Sequence, residues 1–477
     1  MLTADIAYAG ISRQLELLQR GEITARELVE LYLARIERYN PLLNAFRIVR
    51  PERALMEADQ ADARRRAAGA DGGDRARPLL GIPIAVKDDI DVAGEITAFG
   101  TRANERPAAA DGEIVARLRA AGAIIIGKTN VPELCAVPWT ESPTYGAARN
   151  PWNREHTPGG SSGGSAAAVS AGLVGGALGS DGGGSIRFPA AYCLLFGLKS
   201  QRGRLPLAPH LDACQGLSVN GALTRSVADT ALLYDVLADG PPDPGVRAPA
   251  RISFSEALRA GPGRLRVGVA KNLPPSPLAK LDPEHERALE ETAQLVRSLG
   301  HEVSECELPH GPIAPEIDFS IRFLRGMRDD ALALEHPERL ERRLRQSIAI
   351  AGAFGGGVIR WARAQEERFS RRINAPLQRF DVLLTPVTPK PPPRIGRCEG
   401  RGFLYTLAFA AATVPYAAPW NVTGQPAAAV PAGLSERGLP LSVQVVGRAE
   451  GEASIIALAA QIQAARDWTA ARPPGFE

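Results

Sequence analysis

Residues 157–190 read TPGGSSGGSAAAVSAGLVGGALGSDGGGSIRFPA. Two Gly/Ser tracts, TPGGSSGGSAA (157–167) and SDGGGSIRFPAA (180–191), flank a run of small apolar residues. The run 166–180 predicts a tightly packed helix passing into a strand. The triple glycine after it favours neither state, because glycine loses the most freedom on ordering. Outward from this stretch the alternation continues. Upstream, 24–39 reads as a helix opened by Thr24 and Glu27 at capping-box spacing and stopped at Asn40-Pro41. A charged helix is expected over 51–69, strands within PLLGIPIAVKDDIDVAG (78–94), a helix over 113–121 and a buried strand at AIIIGK (123–128). Downstream come a helix at 223–238 and a loose Pro/Gly/Arg stretch at 239–263. A strand at 264–270, a helix near 283–299 and a strand at 302–308 follow. A mainly helical 313–372, interrupted at Gly355–Gly357, precedes 381–386, an apolar 403–420 and a strand at 442–447. This alternation predicts an α/β fold: a mixed central β-sheet covered on both faces by α-helices.

The totals exclude several classes. The chain has 477 residues, 45% of them hydrophobic, enough for a sizeable core. Lys+Arg 56 against Asp+Glu 53 leaves +3 with no basic block, so no nucleic-acid partner is expected. No apolar run reaches the ~20 residues of a membrane span, and the N-terminus lacks a signal-peptide core. The expectation is a cytoplasmic protein without a membrane partner. Cysteines 135, 193, 214, 306 and 398 form no CxxC pair or Cys/His cluster, so free thiols are expected and no metal site. Only six residues are lysine (87, 128, 199, 271, 280 and 390), which makes Lys87, inside an apolar run, conspicuous.

Two motifs match a pattern but not its mechanics. Gly122–Thr129, GAIIIGKT, has Walker A spacing, yet its middle reads as a strand whose N–H groups belong to a sheet rather than to a phosphate. Gly159–Gly163, GGSSG, has nucleophile-elbow spacing but follows a polar, proline-bounded loop instead of a buried strand. A Ser-His mechanism would need a base such as His310; His285, His301 and His336 read as surface residues.

Lys87 and the two Gly/Ser tracts make a coherent set. A serine nucleophile needs a base and N–H donors for its oxyanion. Gly182, Gly183 and Gly184 can bring bare N–H groups to a substrate, with the N–H of Ser185 beside them. Burial of Lys87 would lower its pKa, leaving a neutral amine able to accept a proton. The plain alternatives are a snorkelling lysine and a flexible linker.

At this point the chain resembles the amidase signature family. GGSSGGSAAAVSAG and GSDGGGSIRFPAAYCLLFGLKSQRGRLP carry the resemblance, and PLLGIPIAVKDDIDVAG, GKTNVPEL, AARNPWN, GALTRSVADTALL and NVTGQPAAAVPAG…LPLSVQVVG repeat it in order. The resemblance implies a single domain over 1–477, with a signature core at 78–238. It also implies a variable, mainly helical region at 312–380 near the substrate pocket. Lys87 matches the catalytic lysine, Ser185 the acylated nucleophile and Ser161 the bridging serine, which in the family follows a cis peptide. Ser162 competes with Ser161 and matches a supporting residue. Gly182, Gly183, Gly184 and Ser185 would supply the oxyanion hole. Asp181 and Arg187 would hold the loop, Arg187 with a second possible role at the substrate. Gly182 departs from the family, which usually carries a side chain there. The implied activity is cleavage of a C–N bond in an amide through an acyl-enzyme, with esters or carbamates as further substrates and no cofactor. Leu134, Cys135, Trp139, Tyr416 and Trp420 are candidate pocket residues for an apolar or aryl small molecule. The late stretch 406–426 has no acid, which favours a stand-alone hydrolase over the glutamine-hydrolysing component of a tRNA-dependent amidotransferase. A monomer or homodimer is expected.

Overall fold

The computed structural model describes residues 2–68, 76–247, 249–274, 279–310 and 315–477. Thirteen strands appear among them. In chain order they are β1 (Phe46–Val49), β2 (Pro83–Lys87), β3 (Ile124–Thr129), β4 (Glu141–Ser142), β5 (Gly146–Ala147), β6 (Gly176–Asp181) and β7 (Phe196–Lys199). They continue with β8 (Val219–Thr224), β9 (Arg266–Val269), β10 (Glu302–Glu305), β11 (Val382–Pro386), β12 (Ala427–Leu434) and β13 (Pro440–Gly447). Eleven of them form one sheet in the order β1-β3-β2-β6-β8-β7-β12-β13-β11-β9-β10, and β4 pairs with β5 separately.

The sheet is mixed. β2 runs parallel to β3 and β6, and β9 is parallel to β10 and β11. The β6-β8-β7-β12-β13-β11 run between them is antiparallel at every step. The central strands are near-continuous apolar runs because helices cover both faces. Every residue of β2, β3, β8, β11 and β13 is buried. Helix Gly163–Ser170 packs on β6 and β2, Arg187–Tyr192 on β7, β12 and β13, Pro283–Ser298 on β11 and β13, and Glu452–Ala465 on β12 and β13. The mixed, helix-covered sheet expected from the alternation is the observed architecture.

Several boundaries differ from the sequence expectation. The Thr24 capping box is present, but its helix runs Ala25–Leu43 through Pro41 and ends at Asn44 in left-handed conformation. Pro41 has no N–H for the Glu37 carbonyl, and the helix ends two residues beyond it. The apolar stretch 78–94 yields one short strand, not several. The expected helix 223–238 divides at Arg225: its first residues close β8, and Ser226 caps a helix over Val227–Leu237. The interruption expected at Gly355–Gly357 is present: one helix ends at Ala351 and the next, Gly356–Ile373, starts with Gly355 at its N-cap. Residue 69 and residues 312–314 of the expected helical regions lie outside the described residues. His285 and His301 are buried, contrary to their reading as surface residues. Lys128 on β3 is also fully buried and meets Asp88 at 3.0 Å. That pairing gives the lysine of GAIIIGKT a structural partner. No described helix is long and apolar enough to cross a membrane, and all five cysteines are free.

This topology brings the two Gly/Ser tracts to Lys87. β2 and β6 are parallel neighbours, so Lys87 at the end of one strand stands beside Ser180 and Asp181 at the end of the other. Ligand sites in such sheets gather at the carboxyl ends of strands. The loop after β6 carries Gly182–Ser185 over this edge, and the Gly163–Ser170 helix delivers Ser161 and Ser162 from its N-terminal side.

Candidate active site

Lys87 is fully buried, and its ammonium nitrogen is surrounded by oxygens. Nζ lies 2.7 Å from Ser161 Oγ, 2.6 Å from Ser180 Oγ and 3.1 Å from Asp89 Oδ2. The Gly160–Ser161 peptide is cis. Burial pushes the Lys87 ammonium down, but the Asp89 carboxylate pushes it up, and the balance lies above the ordinary lysine value. The expected lowering by burial is therefore reversed: the sequence reading included the desolvation and missed the anion two residues away. Burial also raises the Cys135 thiol, so it stays protonated.

Ser185 stands on the loop between β6 and the Arg187–Tyr192 helix and is half-buried. Its hydroxyl has no hydrogen-bond partner among the described residues, and it lines two cavities. The first is apolar, walled by Phe188, Phe319, Phe323, Met327, Leu344 and Phe403. The second is the more polar of the two and contains Asp89, Ser161, Ser180, Asn220, His210 and Asp330. It shares Asp91, His210 and Asp330 with a further cavity that extends to exposed Arg106. Cys135 borders both of the cavities at Ser185.

The glycine loop is pinned from below. Asp181 accepts the Gly184 N–H at 2.6 Å, the Ile186 N–H at 3.2 Å and the Arg187 guanidinium at 2.9 Å through both Nε and Nη2. Burial alone would raise the Asp181 carboxyl, but Arg187 and Asn421 hold it well below the usual carboxylate range. The Gly184 N–H is thus engaged, and no acceptor among the described residues takes the N–H of Gly182, Gly183 or Ser185. Those three remain free to serve an oxyanion. Arg187 is fully buried, donating also to Ala417 O, Gln444 Oε1 and Asn421 Oδ1, so it does not reach a substrate. Ser162 bonds across the loops, its N–H to Ser185 O and its Oγ to Ser180 O, both at 3.2 Å.

The expected pocket residues separate into two groups. Cys135 and Leu134 line cavities. Trp139, Tyr416 and Trp420 do not. Trp139 packs on Phe409 and supports Gly160 with its backbone, Tyr416 donates to Lys271 O, and Trp420 is fully buried in a core cluster that also holds Phe319. Large aromatics supply core packing as readily as pocket walls, and sequence does not separate the two. The apolar wall comes instead from helix Pro315–Ala333, where Phe319, Phe323 and Met327 recur every four residues on one face. That spacing was the available signal. Asp89 was also missed: it stands in the turn that follows β2, where strand periodicity gives no guide to its direction. His310 lies against Asn272 O, at 3.3 Å, and joins no serine. Among the described residues no three His, Cys, Asp or Glu side chains gather as a metal site would require.

Comparison with known proteins places this geometry in context. Residues 27–456 match the family model described as Amidase. AmiB2 of Mycobacterium tuberculosis, a protein named as an amidase, is 47% identical over 469 residues, covering 98% of both chains. AmiA2 of the same organism, also named as an amidase, is 42% identical over 452 residues, covering 94% of this chain and 92% of that one. Among solved structures, a 6-aminohexanoate cyclic dimer hydrolase complexed with substrate superposes with a TM-score of 0.88 at 30% identity, over 99% of this chain and 100% of that one. A bacterial aryl acylamidase superposes with a TM-score of 0.84 at 26% identity, covering 97% of each chain.

Proposed function

This chain belongs to the amidase signature family of amide hydrolases, and from that premise we propose that it works through an acyl-enzyme on Ser185 with Ser161 and Lys87 as its proton relay. The observation that carries the reading is the 2.7 Å contact between Lys87 Nζ and Ser161 Oγ, buried beside the one serine that opens onto both cavities. In the active form Lys87 is neutral. Ser185 Oγ attacks the amide carbonyl; its proton passes to Ser161 as the Ser161 proton passes to Lys87. The N–H groups of Gly182, Gly183 and Ser185 face the developing oxyanion, a form of stabilisation usually worth about 3–4 kcal/mol per donor. Lys87 returns the proton through Ser161 to the leaving nitrogen, and the C–N bond breaks. Water then attacks the acyl-enzyme by the same relay and frees Ser185.

The apolar cavity supports a substrate with an apolar or aryl group on one side of its carbonyl. Esters and carbamates fit the same acylation step, because only the leaving atom changes. A fluorophosphonate adduct mapped by mass spectrometry is expected on Ser185; an adduct on Ser161 or Ser162 would overturn the assignment. A panel of aliphatic amides, anilides, p-nitrophenyl esters, carbamates and glutamine then ranks the substrates. Turnover of glutamine only with a partner protein present would favour the reading as one component of an amidotransferase.

A further inference from the structure

The relay above leaves Asp89 without a task, yet Asp89 Oδ2 is 3.1 Å from Lys87 Nζ. The same oxygen accepts the Ser180 hydroxyl at 2.5 Å and is 3.5 Å from Cys135 Sγ. Ser180 has one proton and gives it to Asp89, so toward Lys87, at 2.6 Å, its oxygen is an acceptor. Four oxygens therefore surround Lys87 Nζ: Ser180 Oγ, Ser161 Oγ and Asp89 Oδ2 within 3.1 Å, and the Ser180 carbonyl farther off at 3.4 Å. The three nearest match the three N–H bonds of an ammonium. The resting site is charged, and a charged lysine cannot take the proton of Ser161. When one proton leaves, two N–H bonds stay with Ser180 and Asp89, and the new lone pair points at Ser161.

We propose, on the relay reading above, that Asp89 is a positioning residue: with Ser180 it holds two of the three directions around the Lys87 nitrogen, aims the third at Ser161, and sets the pH at which the relay turns on. The other groups facing this pair leave Asp89 as the anion that matters. Cys135, from the turn after β3, is a protonated thiol, and burial pushes Cys214, from the 213–216 turn, up to about 12. Asp330 of the Pro315–Ala333 helix is raised by burial to about 6, and His210 is raised mainly by its hydrogen bond to Asp91; both act on Asp89 from across the polar cavity. Asp88 points elsewhere, to Lys128 and Arg47.

The test is the pH profile of kcat/KM for a p-nitroanilide or p-nitrophenyl ester that the enzyme turns over. The wild-type profile rises with pH as Lys87 loses its proton. Asp89→Asn keeps an acceptor for Ser180 and removes the charge, so the rising limb moves to lower pH by about one unit or more. Ser180→Ala keeps the charge and removes one positioning contact, so the plateau falls while the limb moves far less. A limb that stays in place in Asp89→Asn overturns the proposal, as does an equal shift in Ser180→Ala. Should Asp89→Asn fail to fold, Asp89→Glu serves: a retained charge with displaced position lowers the plateau and leaves a rising limb, and an unchanged plateau overturns the positioning role. Lys87→Ala in the same assay separates the two readings. If it acylates normally, the relay itself is wrong. If it is inactive while the Asp89→Asn limb has not moved, only the role of Asp89 fails.

Discussion

Replacing Lys87 by alanine removes the base in contact with Ser161 and leaves Ser180 and Asp89 paired with each other. Acylation is expected to slow by about 10²–10⁴-fold, as general-base losses do; single-turnover rates with an activated ester measure it. The glycines of the loop differ in what they tolerate. Gly184 has φ +125°, and a Cβ there would clash with the Phe188 ring, so Gly184→Ala is expected to lower the melting temperature, with a cost above about 1 kcal/mol. Gly182 lacks a positive φ, and its added Cβ would approach the Ser218 hydroxyl at 2.8 Å and point toward Cys214 and Phe323. Its missing side chain therefore widens the polar cavity rather than loosening the loop. Gly182→Thr is expected to keep the fold and raise KM for bulky substrates more than for small ones.

At the scale of elements, the Pro315–Ala333 helix acts as one wall of the substrate space. Phe319 and Phe323 stack on each other with ring centroids 5.3 Å apart, and both border the apolar cavity. Phe323→Ala is expected to reduce kcat/KM for aryl substrates by at least about tenfold and to spare acetyl-sized ones; a uniform loss across the panel would argue for misfolding instead. This wall also marks where sequence reading stops. β2, β3, β6 and the Gly163–Ser170 helix were legible because short apolar runs and Gly/Ser punctuation are local signals. Lys87, Ser161 and Ser185 were legible as a set through the family pattern, and the structure brings Lys87 to Ser161 and places Ser161 and Ser185 on one cavity. Trp139 and Trp420 were misread because burial against core and burial against a substrate need the same residue types. The sign of the Lys87 shift was missed for a related reason: it depends on a 3.1 Å distance to Asp89 that the turn after β2 sets and sequence does not reveal.

Across the whole molecule, opposing sets of carboxyls shape stability. Burial raises Glu133 to about 7 and Asp318 and Asp330 to about 6. Each binds its proton more tightly folded than unfolded. Its stabilising share is complete below the unfolded value of about 4 and is lost as pH rises through about 6–7. Asp181 is depressed, so its share is present above about pH 4 and is lost as pH falls below that. On these carboxyls alone, melting temperature is expected to peak near about pH 4, to decline as pH rises to about 7 and to level off above that. Glu133→Gln should flatten that decline, and a wild-type and a Glu133→Gln melting temperature that change in parallel from pH 4 to 7 would contradict the assignment. The two cavities that meet at Ser185 have a consequence for traffic. If the acyl half sits among Phe319, Phe323 and Phe403, the amine half departs past Asp89 and His210 while the acyl half stays anchored. The vacated passage admits whichever nucleophile arrives next. Hydroxylamine added to the reaction should then compete with water for the same acyl group and divert it to a hydroxamate, in a proportion independent of the amine that left.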